Sequence, residues 1–69
     1  MELGGTKKQI IIGLAKEKNI KEIAAELDVN PKTIEWHWAQ IKLKTGIKSH
    51  AGATHYAIAN GWVDLMYDN

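Results

Sequence analysis

The sequence predicts an all-α protein, a compact four-helix fold arranged around a helix-turn-helix. Two observations carry this: apolar residues recur at helical three- and four-residue spacings, and the stripes are separated by cap and stop residues at Thr6, Asn19, Asn30, Gly46 and Gly61. A third concerns organisation. There is no internal repeat, low-complexity tract or linker long enough to divide the 69 residues, so residues 1–69 read as one domain. A domain of this size buries only about 60% of the surface its unfolded chain exposes, so self-association would help to stabilise it.

Met1 to Gly5 reads as a frayed lead, with Leu3 available to pack and the Gly4-Gly5 pair breaking any helix. Thr6 and Gln9 form an S/T-x-x-E/Q capping box ahead of Ile10, Ile11, Leu14 and Ala15, which predicts a first helix over about 7–17. Gly13 lies inside it at a cost of about 1 kcal/mol relative to alanine, which implies a close approach by another helix. Ile12 points away from the stripe, either as a lone exposed residue or as part of a second contact surface.

Asn19 and Glu22 make a second capping box, and Ile23, Ala24 and Leu27 give a short apolar face, so a helix over about 20–27 follows, stopped by Asp28 and Asn30. Asn30-Pro31 supplies a cap and a proline at the first helical position, where its missing N–H costs nothing. The helix it opens, about 31–45, turns Ile34, Trp38 and Ile41 to one side and ends at Gly46. After Ile47-Lys48-Ser49, alanines 51, 53, 57 and 59 with Tyr56 and Ile58 predict a small-residue helix over about 50–60, ended by Gly61. Its slim face at Ala53, Ala57 and Gly61 suits close packing against the domain's own core, against the same helix of a second subunit, or both. An apolar tail, 62–67, covers the core or reaches across a dimer.

Composition narrows the function. Apolar residues at 45% and charged residues at 25% are ordinary globular usage, and no apolar run approaches the roughly 18 residues of a membrane span, so a soluble protein is expected. There is no cysteine, which excludes a disulfide framework and thiolate zinc. His50 and His55 are badly spaced for one helical metal site, so neither metal nor cofactor is expected. No secretory leader is apparent, which makes the cytoplasm the expected location. All nine lysines fall between Lys7 and Lys48, and from Thr6 to Gly61 they face five acidic residues, an excess of about +4. Lysines supply point charges for phosphates, but without arginine the bidentate guanine reader is missing. No nucleophile with a recognisable base and no phosphate loop is present, so the chain is not expected to be an enzyme.

Between Leu3 and Val63 the sequence resembles the LuxR/GerE family of helix-turn-helix DNA-binding domains. The resemblance is carried by Leu3, the stripe Ile10, Ile11, Leu14 and Ala15, then Lys21-Glu22-Ile23-Ala24 with Leu27, and Lys32-Thr33-Ile34-Glu35 with His37. Ile41, Lys44, Gly46, Ala53, Ala57, Ile58 and Gly61 complete it. It implies a transcription regulator that binds double-stranded DNA as a homodimer through its last helix, with Ala53, Ala57, Asn60 and Trp62 at the dimer interface. A freestanding member is expected, since no sensory or receiver domain accompanies it. The chain departs from the family at Trp38 and Ala39, often arginine or lysine, at Thr45, often leucine, and at Gly13, usually leucine.

On the helix over 31–45, the 100° step leaves Lys32, Glu35, Trp36, Ala39 and Gln40 on or near the outward side, the side that enters the major groove in a helix-turn-helix. The resemblance makes Glu35, Trp36 and Ala39 base-facing. Glu35 suits cytosine N4, Trp36 a thymine methyl, and Gln40 adenine. Lys21, Lys32 and Thr33, near helix N-termini, suit phosphates, and Lys42, Lys44 and Lys48 extend that track. His37 either touches phosphate or caps a hydrogen bond of the core. Two tryptophans flanking His37 cannot both face the core, so Trp36 is expected to be exposed. The alternative reading is a protein-interaction module that keeps the fold but binds a protein partner through Trp36, Ile12 and the 62–66 tail; the missing arginine favours it, and the lysines around the motif oppose it.

Overall fold

The computed structural model describes residues 5–63. They form four helices, α1 (Gly5–Ala15), α2 (Ile20–Leu27), α3 (Pro31–Thr45) and α4 (His50–Ala59), with no strand among the described residues. The helix starts follow from side-chain caps. The Glu22 N–H donates to Asn19 Oδ1 at 2.8 Å while the Asn19 N–H donates to Glu22 Oε1 at 2.9 Å, closing a reciprocal box. The Lys32 N–H donates to Asn30 Oδ1 at 2.8 Å, with Pro31 in the first turn, and the Gly52 N–H donates to Ser49 Oγ at 3.2 Å.

The stops are as regular as the starts. α1, α2 and α4 each end with a left-handed residue, Glu17 (φ 65°), Asp28 (φ 57°) and Gly61 (φ 73°). The N–H of the residue that follows reaches back five positions, from Lys18 to the Gly13 carbonyl, Val29 to Ala24 and Trp62 to Ala57, at 2.9–3.0 Å. α3 ends at Gly46 (φ 79°), whose N–H donates to the Lys42 carbonyl at 3.0 Å. Thr45 strengthens that end: its hydroxyl donates to the Ile41 carbonyl at 2.7 Å and accepts the Ile47 N–H at 3.2 Å, so a polar residue here leaves no orphaned group.

α1 begins at Gly5, ahead of the expected start at Lys7, so Thr6 lies inside the first turn and does not cap it. Glycine at a helix terminus forgoes little, because the first N–H groups lack partners in any case. The Gly4-Gly5 pair therefore does not break the helix at Gly5. Residues 64–67 of the expected tail lie outside the described residues, while Trp62 is half-buried and Val63 buried. Ile12 is half-buried, packed in part against the core.

α1 is the common partner. It packs against α2, α3 and most extensively α4, and α2 pairs with α3, whereas the backbones of α3 and α4 do not meet. The core joins Ile10, Ile11 and Leu14 of α1 to Ile23, Ile34, Ile41, Ala53 and Ala57. The turn between α2 and α3 thus holds α3 on the outside of the bundle, with one face buried and the other in water.

Gly13 shows why α1 carries a glycine. A Cβ there would lie 2.8 Å from Ile23 Cγ1 and 2.9 Å from its Cδ1, whereas one on Gly5 would meet nothing within 4 Å. The same substitution in the same helix therefore has opposite signs. Gly5→Ala should raise stability by about 0.5 kcal/mol, by restricting the unfolded chain. Gly13→Ala should lower it by about 1 kcal/mol, because overpacking outweighs the gain in helix propensity. Urea midpoints of the two variants moving in the same direction would contradict this packing.

Candidate nucleic-acid interface

The face of α3 turned away from the core is centred on Lys32, Trp36, Ala39 and Leu43, the positions opposite buried Ile34 and Ile41 on a helix of 100° per residue. Trp36 is 59% exposed and Leu43 81%, and Lys32 and Ala39 are exposed as well. Trp38 is the half-buried tryptophan, packed against the core, with its ring edge-on to His50 at 6.1 Å and the Lys42 ammonium 5.6 Å from its centroid. Its aromatic body covers apolar surface where a charged side chain would project.

The other expected site residues fall on the two flanks and the ends. Thr33, His37, Gln40 and Lys44 lie along one flank, with His37 and Gln40 half-buried. Glu35 and Lys42 lie along the other, where Glu35 shares a shallow cleft with Asn19, Ile20, Lys21 and Pro31. Glu35 thus lies on the side of α3 toward the start of α2 and off the crest of the face. Lys48 lies beyond the far end of α3, exposed in the link to α4 beside Gly46 and Ile47. Lysines consequently border the face at both ends and both sides.

Two residues join this surface that spacing alone did not mark. Leu43 stands seven residues from Trp36 on the same crest; the heptad spacing was visible, but no core stripe needed it. Lys7 arrives from α1: its ammonium lies 3.4 Å from His37 Nδ1 and 5.8 Å from the centroid of Trp36. Only the packing of α1 on α3 brings them together. Trp36 is further held edge-on to His37, with ring centroids 5.2 Å apart.

Burial, and secondarily the Lys7 charge, hold the His37 pKa below the ordinary histidine value of 6.5. A lysine ammonium only donates, so in this contact Nδ1 accepts from Lys7 and a neutral ring carries its proton on Nε2. His37 is thus half-buried and bound to Lys7 across the α1–α3 contact.

Ala53 and Ala57 have no exposed surface; they lie in the protomer's own core, in the bundle built on α1. They are thus not the atoms a second subunit would meet, which corrects their expected place at a dimer interface. Asn60 is exposed but donates from Nδ2 to the Tyr56 carbonyl at 2.8 Å, capping α4. Trp62 packs between Tyr56, at 5.6 Å, and the Lys8 ammonium, at 5.2 Å from its centroid. The open side of α4 carries Ala51, His55 and Ala59 instead. Among the described residues no cluster of metal-ligating side chains occurs, and no helix is long and apolar enough to cross a membrane.

Compared with known proteins, the chain matches the family model for bacterial regulatory proteins of the luxR family over residues 1–57. No curated protein and no solved structure matches it.

A histidine held neutral by the fold takes up a proton more readily when unfolded, so the native state should lose stability as pH falls through 6.5, with the loss complete below the lowered native pKa. His37→Gln should flatten that dependence between pH 7 and 5. In a proton NMR titration, Lys7→Gln should move the His37 midpoint upward without restoring the ordinary value, because burial is the larger cause. A midpoint unmoved by Lys7→Gln would separate the two side chains.

Proposed function

The chain belongs to the luxR family of bacterial regulatory proteins, a family of helix-turn-helix DNA-binding regulators, and on that premise we propose that it is a small cytoplasmic transcription regulator that binds specific duplex sites, laying α3 in the major groove. The observation that carries this reading is the outward face of α3, open along its length and bordered by Lys7, Lys21, Lys32, Lys42 and Lys44. Groove-facing positions are Trp36 and Ala39 at the crest, with Gln40 and Glu35 at its two edges. Lys32, Lys21, Thr33, Lys42, Lys44 and Lys48 serve phosphates, and His37 donates to one from Nε2.

Binding should be electrostatic in its bulk and specific at the crest. Duplex DNA should be retarded at about 50 mM salt, and the affinity should fall by one or more orders of magnitude by about 200 mM as counterions compete. Lys32→Ala should weaken binding to every sequence alike, while Trp36→Ala should change the preference among sequences. Equal effects of the two substitutions on all duplexes would dissolve the distinction between track and crest.

The protein acts as a homodimer on two half-sites about one helical turn apart in this proposal. A two-fold contact through Ala51, His55 and Ala59 suits the slim open side of α4. Light scattering should give twice the 7.7 kDa chain mass. His55→Glu should halve it and leave the helical signal intact, whereas Ala57→Glu should unfold the chain. A monomer at micromolar concentration would remove this part of the proposal.

One observation favours a second reading, in which the same face docks a protein: Leu43 is 81% exposed. That reading requires no retardation of DNA at low salt.

A further inference from the structure

We infer that α3 reads thymine methyl groups, through Trp36 and Leu43, at two positions about three base pairs apart in each half-site. This rests on the DNA-binding reading and specifies the class of sequence that the site takes. From Trp36 to Leu43 the crest of the helix is apolar where a groove reader usually carries donors and acceptors. Trp36, Ala39 and Leu43 lie within about 60° of one another around the helix axis. With Gln40 they stand at i, i+3, i+4 and i+7, the spacing a helix lying along the major groove presents to base edges.

Base chemistry restricts what such a stripe can meet. The floor of the major groove offers one projecting apolar group, the C5 methyl of thymine; the other recognition groups are donors and acceptors. A leucine set against guanine or cytosine would strip water from those atoms and return no hydrogen bond, and an indole packed by its ring would return at most one, from Nε1–H. The alternative reader of guanine, arginine, is absent from the whole chain. Ala39, between the two large residues, lets the helix approach closely enough for both to touch.

Position along the helix sets the spacing. Seven residues from Trp36 to Leu43 span about 10 Å at 1.5 Å per residue, which is three steps of about 3.4 Å along the duplex. Gln40 falls between them along the axis, at the edge of the arc, and suits adenine in the intervening steps. Trp36 is already oriented before DNA arrives, with His37 edge-on at 5.2 Å and the Lys7 ammonium 5.8 Å from its centroid, so little freedom is lost on docking.

The test uses the full chain and duplexes selected from a random library, resynthesised with deoxyuridine in place of thymine one position at a time. Uracil differs from thymine only by the methyl, and its loss should weaken retardation by about fourfold at each of two positions per half-site. Trp36→Ala should abolish the sensitivity at one position and Leu43→Ala at the other, with both variants keeping the helical signal, since each side chain is largely exposed. An unselected duplex should bind equally in its thymine and uracil forms. If a selected duplex is bound as tightly with uracil as with thymine, or carries guanine or cytosine at these positions, the inference is overturned while DNA binding stands. If no duplex is retarded at about 50 mM salt, the DNA-binding reading and this inference both fail.

Discussion

The side chain of Ile23 lying against the bare backbone of Gly13 is the contact on which the placement of α3 depends. α2 is only eight residues long and too short to persist alone, so its position comes from packing. By seating Ile23 on α1, the glycine brings α2 close, and α2 in turn fixes the entry of α3 through the turn at Asp28 to Asn30. A leucine at this position would leave no room for Ile23 in that seat. Ile10, Ile11, Ile23, Ile34, Ile41 and Ile47 supply much of the interior, and their stiff branched side chains suit a core that must hold one arrangement with few residues.

From that arrangement follows the division of labour on α3. One side, Ile34 and Ile41, is spent on the core, and Trp38 and Thr45 close its margin without needing solvent. The other side is left wholly to water, including a tryptophan and a leucine that burial would ordinarily claim. In a chain whose other large apolar residues are mostly buried or half-buried, two exposed on one crest and bordered by lysines mark a surface made for contact. The positive character of that border comes from three helices. Lys7 on α1, Lys21 on α2 and Lys32, Lys42 and Lys44 on α3 converge although they are spread over nearly forty residues of sequence.

The helix starts at Asn19, Asn30 and Ser49 and the stops at Gly46 and Gly61 are local events, decided by a side-chain oxygen or a left-handed backbone within a few residues. For that reason the all-α class, the turn between α2 and α3 and the outward position of Trp36 could be read from spacing. The start of α1 could not, because a glycine pair that would break a helix interior costs little at a terminus. The left-handed stop at Glu17 was equally hidden, since nothing about a glutamate announces a positive φ. Ala53 and Ala57 show the limit of composition: a slim face tells that something packs closely, not whether the partner is the same chain or another. Here it is α1.

What the sequence determined by itself is the inventory of helices, the caps at Asn19 and Asn30 and the identity of the helix that faces outward, because each is set by interactions within one or two turns. Only the tertiary structure decided which charges and rings share the candidate surface. Lys7 meets His37 and Trp36 across thirty residues, and Glu35 shares a cleft with the start of α2. Those outcomes depend on how α1, α2 and α3 cross, and the crossing is set by the fit of Ile23 to Gly13, a constraint between helices that no local pattern contains.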